Sequence, residues 1–199
     1  ACMPSLPTAM VQSVATGELS NWQTRNPYGL QLNPPAFVSG GSQGNKVNFV
    51  RRTAGSGTHA QFMVNYLRTN CVNNSPSVKT FANNVPNVVV APQVYENEGS
   101  GNIDLAMTAL ANGTGYNGGF TDGLTAFPAA PTAGNGNSSV VPTGRTAYAI
   151  TYNSLERNAS LSRPYRFVKV DFVAPTLENA FTGAYSDIYY LSYQNRVDG

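Results

Sequence analysis

The residues best equipped for chemistry lie together in Val50-Arg51-Arg52-Thr53-Ala54-Gly55-Ser56-Gly57-Thr58. The short run Val47–Val50 reads as a strand. Two arginines follow, then a Gly-Ser-Gly-Thr turn. Phe62, Met63, Tyr66 and Leu67 then fall on one face of a helix expected over Gly57–Asn70. A strand, a glycine turn and a helix in that order place free backbone N–H groups and the positive end of a helix dipole at one point. Ser56 and Thr58 add hydroxyl donors, and Arg52 adds a planar, always-charged fork that suits a tetrahedral oxyanion. Arg52, Ser56, Gly57 and Thr58 are therefore the candidate oxyanion ligands. The plainer reading of the same residues is a tight turn with Ser56 as helix N-cap and Arg52 paired with Asp171 or Glu178.

Other chemistries fit less well. His59 is the sole histidine and sits three residues after Ser56. Ala54 stands where a nucleophile-elbow motif centred on Ser56 needs its first glycine, and no third orienting group is identifiable. The reading is therefore not an enzyme, with no catalytic residues and no cofactor. A nucleotide-binding P-loop needs Gly-Lys-Ser/Thr entering the helix, and Thr58-His59-Ala60 has no lysine. Glu96, Glu98 and Asp104 are the densest acidic group. A solvated turn explains them better than a calcium site, so no metal is expected.

The run VRRTAGSGTHAQFMVNYL resembles the ligand loop of periplasmic phosphate-binding proteins, the substrate-binding components of phosphate ABC transporters. The resemblance continues in order along the chain. Leu6-Pro7-Thr8 to Val14, Gly17-Glu18-Leu19 and Asn21-Trp22 are similar to that family's helix and following segment. Gly101-Asn102 before Ile103–Leu110 is similar to its second glycine-capped helix. Gly144–Tyr152, Pro175-Thr176-Leu177-Glu178-Asn179 and Gly183-Ala184-Tyr185 are similar to later motifs. The resemblance covers about residues 6 to 194 and only the second lobe of the two-lobed family. It implies a type II periplasmic-binding-protein-like single lobe, a mixed central sheet flanked by helices, over residues 1–199. It also implies that Arg52, Ser56, Gly57 and Thr58 hold inorganic phosphate or a similar oxyanion, weakly, because the partner lobe is missing. Ala54 stands where the family carries an acidic residue that orients the arginine and accepts a ligand proton.

Composition narrows the class. A chain of 199 residues suits one domain and buries a substantial core. Its charged fraction of 11% is far below the ~25% of ordinary soluble domains. Asn, Gly, Ser, Thr and Tyr solubilise it instead, which points to an extracytoplasmic setting: periplasmic, secreted or cell-surface. The net charge of +2 excludes a sequence-independent nucleic-acid binder. No apolar stretch approaches the ~20 residues that span a bilayer. Met3 and Pro4 lead into a polar helix, so no apolar leader is expected there. Cys2 and Cys71 are the two cysteines. They leave three states open: an intramolecular disulfide, two free thiols, or an intermolecular bridge.

The remaining elements follow from patterning. Pro7 suits the start of a helix that Gly17 ends. Val88–Val90, Ala147–Tyr152, Phe167–Phe172 and Asp187–Tyr193 read as strands, and Leu177–Phe181 as a short helix. Residues 112–143, rich in Gly, Asn, Pro and Ala, read as a loop insertion. The sum is an α/β fold. An alternative function is an extracellular structural or adhesive subunit, for example of a filament, that self-associates after losing solute binding. Tyr185, Tyr189, Tyr190 and Tyr193 would supply interface aromatics. Asn73, Asn112, Asn137 and Asn158 match the glycosylation tripeptide.

Overall fold

The computed structural model describes residues 3–19, 22, 47–53, 55–68, 93–97, 99–112, 114–117, 140–143 and 149–187. Cys2, Cys71, Ala54, Glu98 and the expected strand Val88–Val90 lie outside them. So does the expected strand Asp187–Tyr193, apart from Asp187 itself.

The organising element is β2 (Asn48–Arg52). It lies between β3 (Gln93–Asn97) and β6 (Ala149–Thr151), and all three run parallel. A central parallel strand is covered on both faces, so its residues need not alternate in polarity. Side chains still alternate in direction. Val47 and Phe49 enter one core with Val11, Val14 and Ala15 of α1 (Thr8–Thr16) and Phe62 of α2 (Gly57–Asn65). Val50 enters a second core with Ile103, Ala106 and Leu110 of α3 (Ser100–Asn112). The result is an α/β arrangement with α1 and α2 on one face of the sheet and α3 on the other. The antiparallel pairing expected within one mixed sheet occurs apart from it, between β4 (Thr114–Asn117) and β5 (Val140–Thr143). These two strands are the ends of the stretch with loop-like composition, and they join its base in a backbone ladder.

Each helix follows a local rule. Pro7 is the N-cap of α1, one position before the first turn, and Gly17 closes it with φ 84°. Ser56 caps α2, which ends at Asn65 rather than Asn70. Thr176 caps α4 (Leu177–Phe181) by accepting the Asn179 N–H at 3.1 Å. The ends of the described chain meet as well. β1 (Ser5–Leu6) pairs in parallel with β7 (Lys169–Val170), and Asp187 accepts hydrogen bonds from Gln61 and Asn65 of α2.

The strand Gln93–Asn97 is a correction. By sequence Pro92 marks a strand's end, and Gln93, Glu96 and Asn97 have the character of loop residues. Glu96 is accommodated because the register sets it opposite Arg51, whose guanidinium pairs with it at 2.8 Å. Val94 and Tyr95 are buried beside it.

A polar knot fixes α3 to the segment after β6. Asp104 is 1% exposed. It accepts from Arg157 Nε at 2.9 Å, Tyr165 Oη at 2.6 Å and Asn153 Nδ2 at 3.1 Å. Arg163 approaches it at 3.5 Å. Asn158, in the 3₁₀ turn Leu155–Asn158, is buried and donates to the Tyr165 carbonyl at 2.7 Å, so this glycosylation match is a structural side chain. Removing the carboxylate strands these donors. Asp104→Ala is expected to lower stability by about 3–5 kcal/mol, read as a fall in the urea midpoint at unchanged m-value.

Candidate anion site

β2, β3 and β6 present their carboxyl ends along one edge, and open parallel sheets bind ligands there. Two helices begin at this edge. α2 leaves β2 on one face of the sheet, and α3 leaves β3 on the other. The two helix starts carry the same tripeptide, Gly55-Ser56-Gly57 and Gly99-Ser100-Gly101.

At the start of α2, the Ser56 N–H donates to the Thr53 carbonyl at 3.0 Å, closing the turn. The Thr53 N–H donates to the Asn97 carbonyl at 3.1 Å, tying that turn to the end of β3. Ser56 is buried, and its Oγ accepts the His59 N–H at 3.4 Å. Gly57 and Thr58 are the first residues of α2, so their N–H groups precede its first intrahelical acceptor. Gly57 is exposed, and a Cβ built on Gly55 or Gly57 meets no atom within 4 Å. Neither glycine has a positive φ. Packing and backbone geometry thus leave both positions open to larger residues. What glycine leaves at Gly57 is unobstructed space in front of the helix end.

Arg52 lies on the α3 side of this edge. Its backbone N–H donates to the Tyr152 hydroxyl at 3.1 Å, and Nη1 donates to Ser100 Oγ at 2.7 Å. Its guanidinium therefore stands at the start of α3. Asp171, one of the two acids named from sequence, is held by the Thr8 N–H at 2.9 Å and the Thr8 hydroxyl at 2.5 Å. The N-cap half of the plainer reading is correct, since Ser56 does cap α2.

The fold also resolves the roles of the neighbouring charged and polar groups. The acidic group expected as one solvated turn is divided: Glu96 pairs with Arg51, and Asp104 belongs to the buried knot. Among the described residues, no three His, Cys, Asp or Glu side chains gather to hold a metal ion. His59 is buried, and its Nδ1 lies 2.5 Å from the Tyr152 hydroxyl. Desolvation, then the charges of Arg51 and Arg52, lower its pKa to about 4. Burial pushes the Tyr152 phenol up to about 12. The phenol thus keeps its proton and donates it to the neutral imidazole, which assigns the imidazole proton to Nε2. With Nδ1 accepting from Tyr152 and the proton on Nε2, neither ring nitrogen keeps a free lone pair for the Ser56 hydroxyl. Tyr152 joins β6, α2 and the Arg52 backbone through one oxygen.

Ser100 and Tyr152 are contributions that sequence reasoning misses. The repeated Gly-Ser-Gly is the signal that points to Ser100. Nothing local marks Tyr152, whose partners are far away in sequence. Comparison with family models, curated proteins and solved structures gave no match.

The His59 shift sets a pH dependence. With its folded pKa at about 4 against 6.5, the unfolded state binds more protons between these values. The histidine contribution to stability is complete above pH 6.5 and is lost as pH falls through 4. Its size is roughly 3 kcal/mol. Thermal melts across this window should fall more steeply for the native protein than for His59→Gln. The imidazole should titrate by NMR near pH 4 rather than 6.5.

Proposed function

We propose that this chain is an extracytoplasmic, solute-binding-protein-like module that holds phosphate or a similar tetrahedral oxyanion and does not turn it over. The observation that carries the reading is the convergence of two Gly-Ser-Gly helix starts and Arg52 on one carboxyl edge of a parallel sheet. Arg52 supplies the charge. The Gly57 and Thr58 N–H groups and the Ser56 and Thr58 hydroxyls supply directed donors. Phosphate is strongly hydrated, so tight capture needs an enclosed cage of satisfied hydrogen bonds. This edge offers one wall, and no carboxylate occupies position 54 to accept a ligand proton. Water then competes from the open side, and the affinity of the isolated chain falls on the order of mM.

A second reading is an extracellular subunit that assembles with copies of itself. It is favoured by three large apolar side chains, Phe172, Leu177 and Phe181, which are 75%, 83% and 94% exposed. Exposed apolar groups in such numbers mark contact surfaces.

Titration calorimetry with inorganic phosphate tests the binding reading. Millimolar binding is expected, weakened about tenfold or more by Arg52→Met, with a matching loss of thermal stabilisation by phosphate. Heat changes that survive Arg52→Met unaltered would defeat the reading, as would micromolar affinity in the isolated monomer.

A further inference from the structure

We infer that two copies of this chain dock face to face, each inserting an aromatic side chain of α4 into an aromatic cavity of the other. This deepens the assembly reading and is independent of anion binding.

One half of the contact is a knob. Leu177 and Phe181 are four residues apart and share a face of α4. Phe172 lies five residues before Leu177 in the chain, on the turn Val170–Val173, whose outer residues exchange N–H···O bonds of 3.0 and 2.9 Å. Its two central residues are left-handed, Asp171 with φ 47° and Phe172 with φ 68°. Such a turn favours Asn-Gly, and a bulky side chain there is strained. The fold nevertheless holds it. Thr8 binds the Asp171 carboxylate, and Ser5 Oγ accepts the Phe172 N–H at 2.9 Å. An unfavourable backbone is clamped so that a phenylalanine faces water.

The other half is a hole. A cavity of about 260 Å³ lies between the sheet and the segment 165–170, with Phe49, Phe62, Tyr152 and Phe167 in its wall. A cavity of ~150 Å³ already admits a benzene ring, so this one takes a phenylalanine side chain. Trp22 also lines it, 8% exposed, and its indole N–H has no hydrogen-bond partner among the described residues.

Area and charge select a second copy as the occupant. The three apolar residues expose on the order of 500 Å² per copy. A reciprocal contact therefore starts near the ~1,000 Å² that a specific interface requires. Glu178 sits between Leu177 and Phe181 on α4, and Arg166 lines the cavity, so each copy offers the partner both an acid and a base. Pro175 and Tyr185, which bracket α4 in the chain, also line the cavity. Knob and hole are thus side by side, and a two-fold exchange seats both at once. Such a contact is isologous and closes at the dimer.

Sedimentation equilibrium on the full chain tests this. A dimer at micromolar concentration is expected, and Phe181→Ser should weaken it about tenfold or more. These side chains are exposed, so far-UV circular dichroism should not change. Glu178→Arg and Arg166→Glu should each weaken the dimer, and the double variant should restore it. Phe172→Gly should weaken association while raising Tm, because it relieves the strained turn. A monomer persisting to about 1 mM overturns the assembly reading and this proposal with it. A dimer indifferent to Phe181→Ser and to the charge exchange overturns the proposal alone. Open polymers overturn the two-fold form, and a monomer with a copurified apolar small molecule in native mass spectrometry assigns the cavity to that ligand instead.

Discussion

Burial of β2 on both faces is the constraint from which the rest of this molecule follows. A central strand must send alternate side chains to opposite sides, and its last two residues are both arginines. Arg51 shares its face with Phe49 and is buried, so it needs an opposite charge there, and Glu96 of the neighbouring strand meets it in register. Arg52 is turned to the other face, where α3 begins, and it meets a hydroxyl. Arg51 is thus buried in an ion pair within the sheet. Arg52 stands at an edge lined with helix N-termini. The same alternation that divides the apolar residues between two cores sends the two arginines to opposite faces of the sheet.

The edge is supported from behind. Tyr152 binds the Arg52 backbone and the His59 imidazole with a single oxygen, and Phe62 stacks on its ring at 4.3 Å between centroids. Neutral His59 beside two arginines keeps the interior of this corner free of a further positive charge. The cost of ionising it is what couples stability to pH. On the far side of the sheet, the Asp104 knot holds α3 to the segment after β6, which positions Ser100 at the start of that helix. Donors aimed outward at the edge are thus fixed by acceptors satisfied within.

Local chemistry makes a good part of this legible. The cap at Ser56, the stop at Gly17 and the bounds of α4 each depend on residues within a few positions of one another, and each is found where expected, whereas the strand expected over Val47–Val50 runs on through both arginines, as Asn48–Arg52. β3 is hidden from such reasoning because its polarity is neutralised by a residue more than forty positions away. The stretch 112–143 has the composition of a loop. Its ends are strands because each supplies the other's backbone partners. Ser100 and Tyr152 are silent in the sequence for the same reason: a serine and a tyrosine acquire a role only from what faces them.

The amino-acid order by itself determined the starts of α1, α2 and α4, the apolar faces and the presence of a cation beside a glycine turn, since these depend on near neighbours and on backbone preferences. Only the tertiary structure decided that Arg51 meets Glu96 across the sheet, that a second Gly-Ser-Gly helix start stands at the same edge, and that α4 carries its apolar residues outward. These are matters of strand register and of which face meets which, and such pairings join residues distant in the chain through space rather than through local preference.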